Sequence, residues 1–202
     1  MPTPNVVIPL TTFLHSPHFL SPGGLPPICA KRWTDGPLQV MRHHRAQLRR
    51  GSIRFKKTDD SSVDRNNVLS VPTSGTEYSM QKWLRMNVTG GSYTQITNPR
   101  FYTDGGNGYG TGCKLWAKTA SAYATPAIPS TSDDPPRLSG ADMVDAFSYT
   151  SASPLDMDAL NAGPFTSTGY KGDYLVLVFE VETTASQGVK TAETLTLAWD
   201  EV

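Results

Sequence analysis

Four kinds of residue in this chain could do chemistry: paired carboxylates, histidines, cysteines and a glycine-rich loop. Glu180 and Glu182 stand two apart on a run with strand periodicity, so they share a face with Cα atoms roughly 6.5–7 Å apart. Carboxylate pairs at about such separations can run glycoside hydrolysis. These two lie where the strand face turns polar, and solvated carboxylates are the expectation there. The histidines are His15, His18, His43 and His44. No pair has the i, i+4 spacing around a carboxylate that marks a zinc protease. His43 and His44 read as part of a basic surface. Cys29 and Cys113 lack a Cys-x-x-Cys partner; two free buried thiols are expected, with a bridge between the two regions as the alternative. The stretch Asp104-Gly105-Gly106-Asn107-Gly108-Tyr109-Gly110-Thr111-Gly112 has no Gly-Lys-Ser/Thr and opens no helix, so it is not a phosphate loop. It reads as a strand connection in which glycine permits positive φ. Calcium at Asp104 and Asn107, at Asp156 and Asp158, or at Asp133 and Asp134 would lack the regular EF-hand spacing. No Gly-x-Ser-x-Gly elbow is present. The residues therefore point to no catalytic group, no metal set and no cofactor.

Trp83, Trp116, Tyr93, Tyr102 and Tyr109 cluster around the glycine-rich stretches. They could form a platform on which sugars stack, as in carbohydrate-binding modules. Filling a β core or a subunit interface is the preferred reading, because aromatics do both well.

The elements that must position these residues are strands. Ile53 and Phe55 alternate with Arg54 and Lys56. Leu84, Met86 and Val88 alternate with Trp83, Arg85 and Asn87. Cys113, Leu115 and Ala117 alternate with Lys114, Trp116 and Lys118, and Phe101-Tyr102 follows Pro99. Turn formers bound each run. In Asp173–Thr184, Leu175, Leu177, Phe179 and Val181 take one face, while Tyr174, Val176 and Val178 take the other. A strand apolar on both faces is expected to be central and covered on both sides. Thr194–Val202 alternates again, and Ser186-Gln187-Gly188 between the two runs can reverse the chain. The pair is expected to form an antiparallel hairpin. Ser139–Phe147 reads as a short helix with Ser139 as N-cap, and Met41–Arg50 as a short basic helix ended by Gly51.

Of the 202 residues, 17 are Gly and 16 Pro, which argues against a helical bundle or a long coiled coil. The longest unbroken apolar run, Tyr174–Phe179, is too short to cross a bilayer as a helix. No Lys or Arg precedes Lys31, so a charged secretory n-region is not expected. Net charge is zero but unevenly spread. Through Lys57, nine basic residues stand against the single acid Asp35, a net of +8. The remainder has nine basic residues against 17 acidic, a net of −8. A basic arm on an acidic body binds polyanions, acidic protein surfaces or its own body through a salt-sensitive term. Nucleic acid is not favoured, because the stretch lacks interleaved aromatics and any DNA- or RNA-binding motif. Eight prolines within the first 40 residues favour extended backbone, and Phe13 and Phe19 give the arm apolar contacts. The change of character at Met41 also admits Met41 as the natural start.

These readings give an all-β chain: an antiparallel β-sandwich, jelly-roll or Ig-like, over 52–202, with one short helix and an extended Pro-rich, basic N-terminal arm over 1–51. The stretches Tyr78–Arg85, Asn98–Gly106, Gly112–Lys118, Gly172–Leu177 and Leu195–Glu201 resemble the β-sandwich structural proteins of tailed-phage virions. The resemblance implies a non-enzymatic component of the virion, such as a capsid decoration, neck or tail-associated protein, that forms a homo-oligomer and binds coat, neck or tail subunits. It implies no catalytic residues, no cofactor and no membrane. Phe13, Phe19, Arg42, Arg45, Arg49 and Arg50 are the candidate partner-binding residues of the arm. The alternative function is a carbohydrate-binding β-sandwich module adhering to host or surface glycans.

Overall fold

The computed structural model describes residues 5–7, 42–46, 69–89 and 93–201, with backbone alone for 5–7, 42–46 and 189. Among these residues fourteen strands follow one another: β1 (Asn5–Val7), β2 (Arg42–Ala46), β3 (Leu69–Ser70), β4 (Thr76–Tyr78), β5 (Lys82–Val88), β6 (Ile96–Tyr102), β7 (Cys113–Ala120), β8 (Arg137–Leu138), β9 (Ala141–Asp142), β10 (Val144–Asp145), β11 (Leu155–Asp156), β12 (Gly169–Glu182), β13 (Gly188–Val189) and β14 (Thr196–Glu201). The protein is all-β and mostly antiparallel. The helical content of the described residues is a single 3-10 turn, Ala146–Ser148.

The doubly apolar run organises the molecule. It becomes β12, the longest of these strands, paired with β7 along one edge and with β5 and then β4 along the other. Together with β10 these strands form the first sheet. Leu175, Leu177, Phe179 and Val181 enter a core shared with Leu69, Phe101, Leu115 and Leu195, packed by Leu155 and Leu197. That cluster draws on both the first sheet and a second one of order β11-β6-β14-β2. Val176 and Val178 point the other way, into a cluster with Tyr78, Leu138 and Met143 flanked by Trp83 and Trp116. The segment after β7 is laid across this outer face. Tyr78 Oη donates to the Asp133 carbonyl and Gln81 N to the Ala127 carbonyl. Both faces of β12 are thus covered, as its sequence requires.

Three expectations are corrected. The run Thr194–Val202 does not pair with β12. β14 lies in the second sheet between β6 and β2, because the chain crosses from one sheet to the other after Glu182. Ser139–Phe147 is not a helix. Ser139 (φ 52°) and Gly140 (φ 78°) make the turn of the β8–β9 hairpin. The Arg137 guanidinium 2.9 Å from Asp142 closes that hairpin. Successive positive φ values at the two turn residues are the geometry that right-twisted two-residue hairpins favour. Arg42–Ala46 is a strand, not a basic helix, with five register pairs from Leu197–Ala46 to Glu201–Arg42. β1 likewise joins the body, parallel to β13 and antiparallel to β3. The expected strand at Ile53–Phe55 lies outside the described residues.

Pro99 sits inside β6, where a proline needs a reason. The register of β6 against β14 shifts between Ala198 and Asp200. Asn98 takes φ 54° there, so the missing amide of Pro99 falls at a bulge.

Candidate functional site

The register of β12 against β5 breaks between Lys171 and Leu175. Gly172 takes φ +68° in this bulge, and a Cβ on it would lie 2.6 Å from the Met157 carbonyl oxygen, so the backbones meet where only glycine fits. The neighbouring Asp173 is 0% exposed. Its carboxylate accepts from Leu160 N at 3.0 Å and Asn161 Nδ2 at 2.7 Å, which fixes the loop over the bulge.

The bulge aims two groups outward. The Gly172 carbonyl accepts from Arg85 Nε at 2.9 Å, and the Tyr174 ring lies under the Arg85 guanidinium, 4.7 Å from its centroid. Tyr174 also packs edge-on against Trp83 at 5.8 Å, and Tyr123 completes a triangle at 5.5 Å from Trp83 and 5.9 Å from Tyr174. Tyr123 is 59% exposed, so the triangle presents an open aromatic surface braced by a cation.

Arg85 also borders a groove of about 270 Å³ between β5 and the second sheet. Arg85, Met86 and Asn87 form one wall. Pro99 and Arg100 of β6, Met157, and Leu197–Trp199 of β14 form the rest. Arg100 is neutralised in place: its Nη2 is 3.1 Å from Asp200 Oδ1, and its Nη1 donates to the Asn98 carbonyl. Asn98 Nδ2 reaches the other oxygen of Asp200 at 2.9 Å. Apart from Arg85, Arg100 and Asn87, the residues lining the groove are apolar.

Of the aromatics singled out in the sequence, Trp83 alone belongs to the triangle. Tyr109 is buried between Phe147 and Phe179, with ring centroids at 5.7 and 5.0 Å. Tyr102 lines a separate hydroxyl-rich depression with Thr103, Asp104, Thr150 and Thr194. Tyr93 is half-buried. Tyr123, Tyr174 and Arg85 were missed as site residues. Tyr174 carried a signal, since it shares the Val176 face of β12, but the bulge that pairs it with Arg85 has no sequence mark except Gly172.

Glu180 is not the solvated carboxylate its position suggested. It is 1% exposed, and accepts from Trp116 Nε1 and from Lys114 Nζ at 3.4 Å. Lys114 Nζ also lies 2.6 Å from Glu182. Burial pushes the Glu180 carboxyl above its ordinary pKa, against the opposing pull of Trp116 and Lys114. Lys114 holds that of Glu182 below. The two acids are bound to one ammonium across the β7–β12 ladder, an ion-pair brace rather than a pair converging on a cleft.

The candidate calcium residues of the Asp104–Asn107 and Asp156–Asp158 stretches are engaged locally. Asp104 Oδ1 accepts from Gly106 N, and Asn107 bonds Tyr109 N and the Cys113 carbonyl. Asp156 Oδ1 accepts from Asp158 N, and burial together with Asp156 raises the Asp158 carboxyl to about 6. Among the described residues no group of three or more His, Cys, Asp and Glu is placed to hold a metal ion. Cys113 is a buried free thiol whose pKa is raised by burial; Cys29 lies outside the described residues. So do Phe13, Phe19, Arg49, Arg50, His15 and His18. Arg42 and Arg45 stand in β2 opposite Glu201 and Ala198. No helix among the described residues is long and apolar enough to cross a membrane. No family model, curated protein or solved structure matches this chain.

Proposed function

We propose that this chain is a non-enzymatic structural component of a phage virion. In this reading its body is a β-sandwich of jelly-roll or Ig-like type, and its N-terminal arm binds neighbouring coat, neck or tail subunits, including copies of itself. The observation that carries the reading is how residues ahead of the body reach it. Both described pieces, β1 and β2, attach by backbone pairing at the sheets. Strand addition takes its affinity from main-chain hydrogen bonds, so any sheet edge of suitable register can receive such a segment. The sequence of β2, Arg-His-His-Arg-Ala, lies against a strand that ends Asp200-Glu201. That arrangement suits a salt-sensitive contact.

Deleting residues 1–50 should leave a body with a β-type circular dichroism spectrum and a cooperative thermal transition. In sedimentation velocity it should no longer join the assembly that the full chain forms. A truncated protein that assembles like the full chain would refute the arm's role.

One observation favours a second reading, glycan adhesion. The triangle of Trp83, Tyr123 and Tyr174 offers a half-open aromatic surface of the kind sugars stack on. Under that reading a glycan array probed with the full chain gives discrete hits, and Tyr123→Ala removes them while leaving the melting temperature nearly unchanged. An empty array would leave the triangle as packing alone.

A further inference from the structure

We propose that the groove between β5 and β14 is a binding site for a small amphiphilic organic acid, with its carboxylate on Arg85 and its apolar body between the sheets. The inference is independent of the arm's role. The groove, at about 270 Å³, falls just below the roughly 300–1,000 Å³ of pockets that take drug-sized ligands. It suits a body of about two fused rings. Met86, Pro99, Met157, Leu197 and Trp199 supply apolar and polarizable walls. A neutral sugar would find few polar partners on such walls.

The charge at the groove is one-sided. Arg100 is already matched by Asp200. Among the described residues no carboxylate lies within ion-pairing distance of Arg85. Asp173, one residue from the carbonyl that Arg85 binds, gives its oxygens to Leu160 N and Asn161 Nδ2 instead. Arg85 donates through Nε to Gly172 and through one Nη1 hydrogen to Tyr174 Oη at 3.4 Å, and it is stacked on that ring. Three of its five N–H groups are left, on Nη1 and Nη2, the edge that grips a carboxylate through two parallel hydrogen bonds. The guanidinium is fixed before any ligand arrives, so little ordering entropy is lost on binding.

The test uses the full-length protein and naphthalene-2-carboxylate, with the neutral 2-naphthalenemethanol as comparator. Binding is followed by the indole N–H resonance of Trp199, with those of Trp83 and Trp116 as internal references. The expected result is saturable binding that moves the Trp199 signal most, with the acid bound about tenfold more tightly than the alcohol, as a charge-assisted bidentate contact implies. Arg85→Gln should remove that preference and leave the affinity for the alcohol unchanged. Asn87→Asp places a negative charge on an exposed position of the groove wall and should weaken the acid several-fold. Equal affinity for acid and alcohol in the natural chain overturns the proposal. So does an acid affinity indifferent to both substitutions, or no saturation at millimolar concentration.

Discussion

Gly112→Ala will lower the melting temperature by about 10 °C, whereas Gly110→Ala, two residues away, will lower it by only a few degrees. Both glycines have positive φ, +72° and +88°, so each alanine carries the conformational cost of a left-handed residue, about 1–2 kcal/mol. The difference is what surrounds them. A Cβ on Gly110 meets nothing within 4 Å. A Cβ on Gly112 would lie 2.4 Å from Ala185 N and 2.6 Å from Thr184 Oγ1. The first of these is backbone, and it cannot rotate away. Gly112 is also tied to the end of β12, because its carbonyl accepts from Glu182 N at 2.8 Å. Relieving the overlap therefore pulls the β7–β12 ladder apart at its edge. Overpacking of this kind adds about 1–3 kcal/mol, and at 2–4 °C per kcal/mol for a chain of this size the sum reaches about 10 °C. Differential scanning calorimetry of the two variants checks it. Equal shifts would mean that the turn after Glu182 yields freely.

Lys114→Met will cost about 3 kcal/mol at neutral pH, and the loss will shrink on acidification. The substitution leaves Glu180, 1% exposed, with the Trp116 N–H but without its cation. Removing one partner of a buried pair typically costs about 3–5 kcal/mol. The lower end applies because Lys114 is itself 36% exposed and already partly solvated. The pH sign follows from the two acids. The Glu180 pKa is raised by burial even with Lys114 present, so the folded state holds that proton more tightly than the unfolded chain does. Ionisation of Glu180 thus removes stability as pH rises above the ordinary glutamate value of 4.5. Without Lys114 the folded pKa climbs further, and the loss on ionisation grows. The Glu182 pKa is depressed by the same ammonium. Its contribution is present above 4.5 and lost as pH falls through the lower folded value. Both effects make the difference between variant and natural chain largest near pH 7 and smaller towards pH 4. Denaturant unfolding at the two pH values measures it. A pH-independent difference would show that Lys114 acts through packing of its methylenes alone.

Local pattern located several strands closely and their partners poorly. The alternation over Trp83–Val88 and Cys113–Lys118 appears within β5 and β7, each strand running one or two residues beyond it. The expected hairpin between Asp173–Thr184 and Thr194–Val202 failed because a reversing tripeptide says only that the chain can turn. Which edge the next strand meets depends on which edges are open. β7, β5 and β4 occupy both edges of β12, leaving β14 to pair with β6 and β2. The helix expected at Ser139–Phe147 failed for a related reason. Met143, Val144 and Phe147 are spaced as on one helix face, yet Met143 is buried with Leu138 against β12, Phe147 enters the other core cluster and Val144 is exposed.

By itself the sequence determined that this protein is a β structure organised around one strand buried on both sides, since the six-residue apolar run Tyr174–Phe179, flanked by strand alternation, puts apolar side chains on both faces of a strand. Only the tertiary structure decided what its polar and aromatic residues do. Glu180 is buried because Lys114 and Trp116 reach it from β7, across more than sixty positions of chain. Trp83, Arg85 and Tyr174 meet because a bulge at Gly172 breaks the register. Periodicity is a property of neighbouring residues, whereas burial and charge pairing depend on which distant segment arrives opposite. Long-range register sets that, and no stretch of sequence carries it alone.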